Sequence, residues 1–136
     1  MTPEQKLKWA VLVIAARWDK RELGPVSADN VDALYDALVA EDGHWDAKNE
    51  LRCTGRESGL SRNVDYMVAR HYDHCEVAAE MPDGSWVGWT YWHGGGKFGE
   101  PSAVEWMSEA YEVHHRAEPK TIIVDIFTLP DAPAAE

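Results

Sequence analysis

Side chains able to hold a metal or attack an electrophile gather in one part of this sequence, HYDHCEV at residues 71–77, and a second histidine follows in WTYWHGGGKFGEP at 89–101. If the two stretches are strands of a hairpin whose two loop residues are Asp83 and Gly84, opposite positions sum to 167 and His74 faces His93. Zinc needs three or four convergent ligands. Cys75 and His71 belong to the other face of that hairpin, so two histidines remain and no metal is expected. The same divergence of adjacent strand residues leaves Cys75 without a base or an orienting acid, and no catalytic residue is assigned.

The glycines come next. Gly94, Gly96 and Gly99 match G-x-G-x-x-G between an expected strand and an expected helix, the setting in which backbone N–H groups and a helix N-terminus cradle phosphate. Two features weaken the match. The strand belongs to an antiparallel hairpin rather than a βαβ unit, and the helix opens late, at Pro101-Ser102. A P-loop would continue as G-K-S or G-K-T, which this loop lacks. Gly94, Gly95, Gly96 and Lys97 are therefore a candidate anion or small-ligand loop, beside the plainer reading of a bend that needs small residues. No cofactor is expected.

Two surfaces are candidates for binding a partner. Between residues 27 and 50 stand seven acids, Asp29, Asp32, Asp36, Glu41, Asp42, Asp46 and Glu50, against the single base Lys48. Asp29, Asp32, Asp36 and Asp46 are the named contacts on this acidic surface, which could stand in for a phosphate backbone toward a basic protein. The second surface is one face of the hairpin. In the register above, Cys75, Val77, Met81, Trp86, Thr90 and Trp92 share an apolar face that should build the core. Trp89 and Tyr91 fall on the mixed face with Glu76 and Glu80, where they could touch a partner.

The elements that must position these residues follow from periodicity. Leu7, Val11, Ile14, Ala15 and Trp18 draw an apolar stripe down a helix over about 3–21, and Trp9, Leu12, Val13 and Ala16 fill much of the remaining circumference. Such a helix is central to a core or shared with a second copy, so it is the candidate homodimer contact. Ser27 is placed to cap a second helix, running to about residue 40 on Val31, Leu34, Tyr35 and Leu38. Residues 54–63 read as a surface loop, and 62–70 fit either a strand or a short helix. The hairpin comes next, then a short helix over 102–110 and two strands at about 111–117 and 120–129, joined through Glu118-Pro119. The fold class is α+β, with two N-terminal helices on an antiparallel sheet of about four strands and a short helix before the last two. Residues 1–129 form one domain, and the tail 130–136 is expected to be disordered.

Composition narrows the function classes. The 136 residues are 45% hydrophobic and 27% charged, which suits a folded domain, and the formal charge of −11 disfavours direct nucleic-acid or anionic-membrane binding. The apolar run Trp9–Ala16 is too short for a membrane span and lacks the cleavage pattern of a signal peptide. Cys53 and Cys75 are accordingly expected as free thiols in a cytoplasmic protein.

The segment DGSWVGWTYWHGGGKFGEPSAVEWMSEAY resembles a stretch found in small uncharacterised proteins of tailed bacteriophages and prophages. It covers about a quarter of the chain; the N-terminal helices carry no such likeness. The resemblance implies a phage or prophage origin and the bacterial cytoplasm as the place of action, and it brings no activity or catalytic residue. The expected function is a non-enzymatic protein that binds a host protein, such as a nucleic-acid-binding or defence factor, through its acidic surface. The alternative is sequestration of a small ligand or anion by the Gly94–Lys97 loop.

Overall fold

A computed structural model describes residues 1–130. All but the first residue of the tail expected to be disordered lies outside that range. The chain opens with helix α1, Pro3–Trp18, which starts where it does because Thr2 and Gln5 form a reciprocal capping box and Pro3 needs no N–H partner at the first helical position. Helix α2, Val31–Ala40, follows a turn in which Asn30, rather than Ser27, occupies the cap position; Asn30 Oδ1 accepts from the Ser27 N–H at 2.7 Å. A third helix, α3, Trp45–Thr54, was not anticipated. Its buried stripe is only Ala47 and Leu51 plus the stem of Arg52, too thin an apolar signal to read against the charged residues around it.

Strand β1, Arg56–Glu57, lies in the segment expected to be loop; helix α4 is the single turn Tyr66–Ala69; and strands β2, Asp73–Glu80, and β3, Trp86–His93, make the hairpin. The short helix expected at 102–110 is one 3-10 turn, Pro101–Ala103, and strand β4, Tyr111–Val113, closes the sheet. The four strands run β1-β2-β3-β4 with every neighbouring pair antiparallel, so the fold is α+β as expected. The strand expected over 120–129 is absent: that stretch has neither helix nor strand and is exposed along its whole length. β1 supplies the fourth strand instead.

The hairpin register differs from expectation by one residue. Asp73 pairs with His93 and Glu80 with Trp86, so opposite positions sum to 166. The cause is Pro82. A two-residue turn at Asp83-Gly84 would make Pro82 a closing residue opposite Ser85, a place that needs an N–H proline does not have. Instead Met81 N–H donates to the Ser85 carbonyl at 2.7 Å and Gly84 N–H to the Met81 carbonyl at 2.9 Å. The loop is Pro82-Asp83-Gly84, with proline preset for the turn and Gly84 at φ +85° where only glycine is unstrained. A one-residue slip flips every β3 side chain to the other face.

The core therefore forms on Val77, Val87 and Trp89, against Leu7, Val11 and Leu12 of α1, Val31, Tyr35 and Leu38 of α2, and Leu51 of α3. α1 lies in the middle, with buried residues around most of its circumference, which accounts for its nearly all-round apolar character within one chain. Lys6 fixes it to the hairpin: its Nζ donates to Ser85 Oγ at 2.9 Å and lies 3.6 Å from Asp83 and 3.8 Å from Glu112.

Candidate functional site

Trp89, expected on a contact surface, is 0% exposed and rests 5.3 Å from the Trp106 ring in the core. Its assignment as a partner-binding residue is overturned, and the register slip is the reason. Tyr91 moves with it to the helix side, half-buried, with the Arg52 guanidinium 4.5 Å above its ring. Arg52 is itself buried and donates to the Trp92 carbonyl, tying α3 to the end of β3. Trp86 and Trp92 share a face as expected, but it is the face turned away from the helices. There Trp92 is 5% exposed, lying 5.1 Å from His74, while Trp86 is half-buried under His115, whose ring stacks on it at 4.0 Å.

The histidine pair dissolves for the same reason. His74 now opposes Trp92 and His93 opposes Asp73, so the two imidazoles project from opposite faces. Among the described residues no group of three or more His, Cys, Asp or Glu could hold a metal ion. Cys75 is half-buried beside Tyr91, and burial, then Glu57 and Glu76, push its thiol pKa up, away from the thiolate that nucleophilic attack requires.

In the glycine loop Gly94, Gly95 and Gly96 all take positive φ, at +74°, +90° and +50°. A Cβ on Gly95 would lie 2.7 Å from the Tyr72 ring. The glycines thus have a conformational and a steric reason to be there. Lys97 sits in the 3-10 turn Gly96–Phe98, and the helix expected to point its N-terminus at an anion is the three-residue turn at Pro101.

The acidic residues split between two helices. Asp32 and Asp36 lie on the outer side of α2 with Asp29 in the turn before it, whereas Asp46 stands in the first turn of α3, where a carboxylate favours the helix dipole. All seven acids between 29 and 50 are exposed. Asp32 is committed: Lys8 Nζ donates to it at 3.0 Å and Gln5 Nε2 at 3.2 Å, bonds that hold its carboxyl below the usual carboxylate range. Among the described residues the other six make no ion pair within 4.0 Å.

Sequence reasoning missed a polar cleft on the outer sheet face. Its floor is Thr90, Trp92 and Tyr111, its walls are the 62–68 segment on one side and Val104–Trp106 with Glu109 on the other, and its volume is about 380 Å³. Beneath it Glu76, 6% exposed, receives the Thr90 hydroxyl at 2.8 Å and the Tyr111 hydroxyl at 2.6 Å, one on each carboxylate oxygen. Arg62 covers the Tyr111 ring at 3.9 Å. Gly88 makes the network possible, because a Cβ there would lie 2.6 Å from the Tyr111 ring. Burial, reinforced by the bond to Glu76, raises the Tyr111 pKa far above the usual phenol value, so the hydroxyl remains a donor. The indole Nε1 of Trp106, on the cleft wall, is buried without a hydrogen-bond partner. The glutamate–threonine–tyrosine set depends on cross-strand register, which explains why spacing along the chain did not show it.

No helix among the described residues is long and apolar enough to cross a membrane. Comparison with protein-family models, with curated proteins and with solved structures finds no match to this chain.

Proposed function

We propose that this is a non-catalytic binding protein, of phage or prophage origin, that occupies a basic surface on a host protein such as a nucleic-acid-binding or defence factor. The observation that carries this reading is the acidic surface of α2, α3 and the turns beside them, where six exposed carboxylates make no ion pair among the described residues. Fields from such a surface steer association with a basic partner and fall with added salt, since screening shortens to about 8 Å near physiological ionic strength. Asp29, Asp36 and Asp46 are the contacts to test, because Asp32 is already bonded to Lys8 and Gln5. In affinity capture from a bacterial lysate, the parent should retain a basic protein that is released as salt rises. Asp29→Lys, Asp36→Lys and Asp46→Lys together should lose it with an unchanged melting temperature. Equal capture by the triple variant would refute the reading.

A second reading places a small ligand in the outer cleft rather than in the glycine loop. What favours it is a space of about 380 Å³ whose lining brings Arg62, Thr90 and Tyr111 together. A ligand carboxylate would pair with Arg62 in that lining. Mass spectrometry of the denatured pure protein should then show a stoichiometric small molecule, lost in Arg62→Ala.

A further inference from the structure

We propose that residues 120–129 are a strand exchanged between two copies of this chain, each copy laying its strand along the outer edge of the other's β4. The segment is KTIIVDIFTL, and its large apolar side chains, Ile122, Ile123, Val124, Ile126, Phe127 and Leu129, are between 67% and 93% exposed. Alternation puts Ile122, Val124 and Ile126 on one side of an extended chain and Ile123 and Phe127 on the other, so both faces call for cover. A β-prone stretch of this kind is stable in water only when a sheet takes it up.

The same chain holds the matching vacancy. β4 ends the sheet order, and its outer edge carries no strand among the described residues. A cleft of about 250 Å³ crosses the sheet face away from the helices, from Arg56 of β1 over Ala78 and Trp86 to Val113 of β4, and the chain after β4 lines it with His115 and Arg116. An incoming fifth strand would pair its backbone with Tyr111–Val113 and extend both sheet faces by one strand.

Three features favour a second copy over the chain's own edge or a foreign partner. From His114 to Leu129 the chain contains no turn or bend, so it leaves β4 without reversing beside it. At about 3.3 Å per residue these sixteen residues can reach roughly 50 Å. The rest of the chain has an expected radius of gyration of only about 13 Å, so a neighbour's β4 is well within reach.

The second feature is charge. Two copies at −11 repel overall, but the arm carries one base and one acid, Lys120 and Asp125, and Glu112 of β4 is followed by His114, His115 and the paired Arg116 and Glu118. Two chains therefore meet with least repulsion at this place.

The third is area. Six such side chains bury roughly 60–120 Å² each, about 350–700 Å² for one arm, which falls short of the roughly 1,200 Å² of a specific interface. Reciprocal exchange doubles the figure to about 700–1,400 Å², whose upper part reaches that range, and a twofold dimer supplies it without a further partner.

Light scattering on the full chain across a concentration series should show a dimer. Val124→Asp with Ile126→Asp should give a monomer that keeps the parent's helical circular dichroism and still unfolds cooperatively, because neither residue belongs to the core of the single chain. To place the contact, two chains lacking Cys53 and Cys75 are mixed, one carrying Glu112→Cys and the other Val124→Cys. A disulfide joining the two chains is expected. A parent that is monomeric at every concentration, a dimer that survives the double substitution, open-ended aggregates in place of a closed dimer, or failure of the mixed chains to cross-link would each overturn the proposal.

Discussion

Replacing Trp89 with alanine tests the hairpin register directly. The side chain is fully enclosed, packs on Trp106 and lies opposite Val77, so its removal leaves a cavity in the core. Aromatic-to-alanine changes in cores cost about 3–5 kcal/mol, and at this chain length 1 kcal/mol moves the melting temperature by about 3–5 °C. The expected loss is therefore roughly 10–20 °C. Trp86, half-buried on the outer face beneath His115, serves as the internal reference and should cost roughly half as much as alanine. Trp89→Phe should cost much less than Trp89→Ala. It keeps most of the apolar volume and removes an indole N–H that has no partner, a buried donor whose desolvation costs about 1–3 kcal/mol. Denaturant unfolding of the three variants gives the ranking. If Trp89→Ala is milder than Trp86→Ala, strand β3 is turned the other way and the slip attributed to Pro82 is wrong.

Other consequences can be measured on the same footing. Gly88→Ala should destabilise by about 1–3 kcal/mol, since its Cβ would lie 2.6 Å from the Tyr111 ring and 2.9 Å from Val113, and calorimetry would read the loss. Tyr111→Phe removes one of two donors to the buried Glu76 carboxylate and should cost about 1.5–3 kcal/mol; a double-mutant cycle with Thr90→Val should show coupling, and strict additivity would argue against a shared carboxylate. Burial, and then Lys48, hold the His44 pKa below the usual imidazole value. The unfolded chain consequently binds a proton near pH 6.5 that the folded one refuses, so this contribution to stability is full above about pH 6.5 and is lost as pH falls. In His44→Gln the fall in stability between about pH 7 and pH 5 should be shallower, and an unchanged slope would contradict the assignment.

Much of the architecture is legible in the sequence because local rules governed it. The α1 stripe, the capping residues before it and the alternation of β2 and β3 each follow from spacing alone, and they suffice for an α+β fold with an antiparallel sheet. Helix α3 and strand β1 are not legible, since two buried side chains and two paired residues leave almost no pattern to detect. The outer cleft was equally hidden. Glu76, Thr90 and Tyr111 are 14 and 35 residues apart along the chain and meet only because β2, β3 and β4 adopt one register out of several.

The division follows from where each preference originates. Composition and periodicity by themselves settled the acidic surface, the apolar helix, the presence of a hairpin near Asp83 and the β-prone character of residues 120–129, since these depend on neighbours a few positions apart. Which tryptophan is enclosed was decided by the tertiary structure: a missing N–H at Pro82 shifts the pairing by one, and in a pleated sheet a shift of one exchanges the faces. The same holds for residues 120–129. Their alternation reads as a strand, yet a strand exists only where an edge receives it, and among the described residues no strand pairs with them.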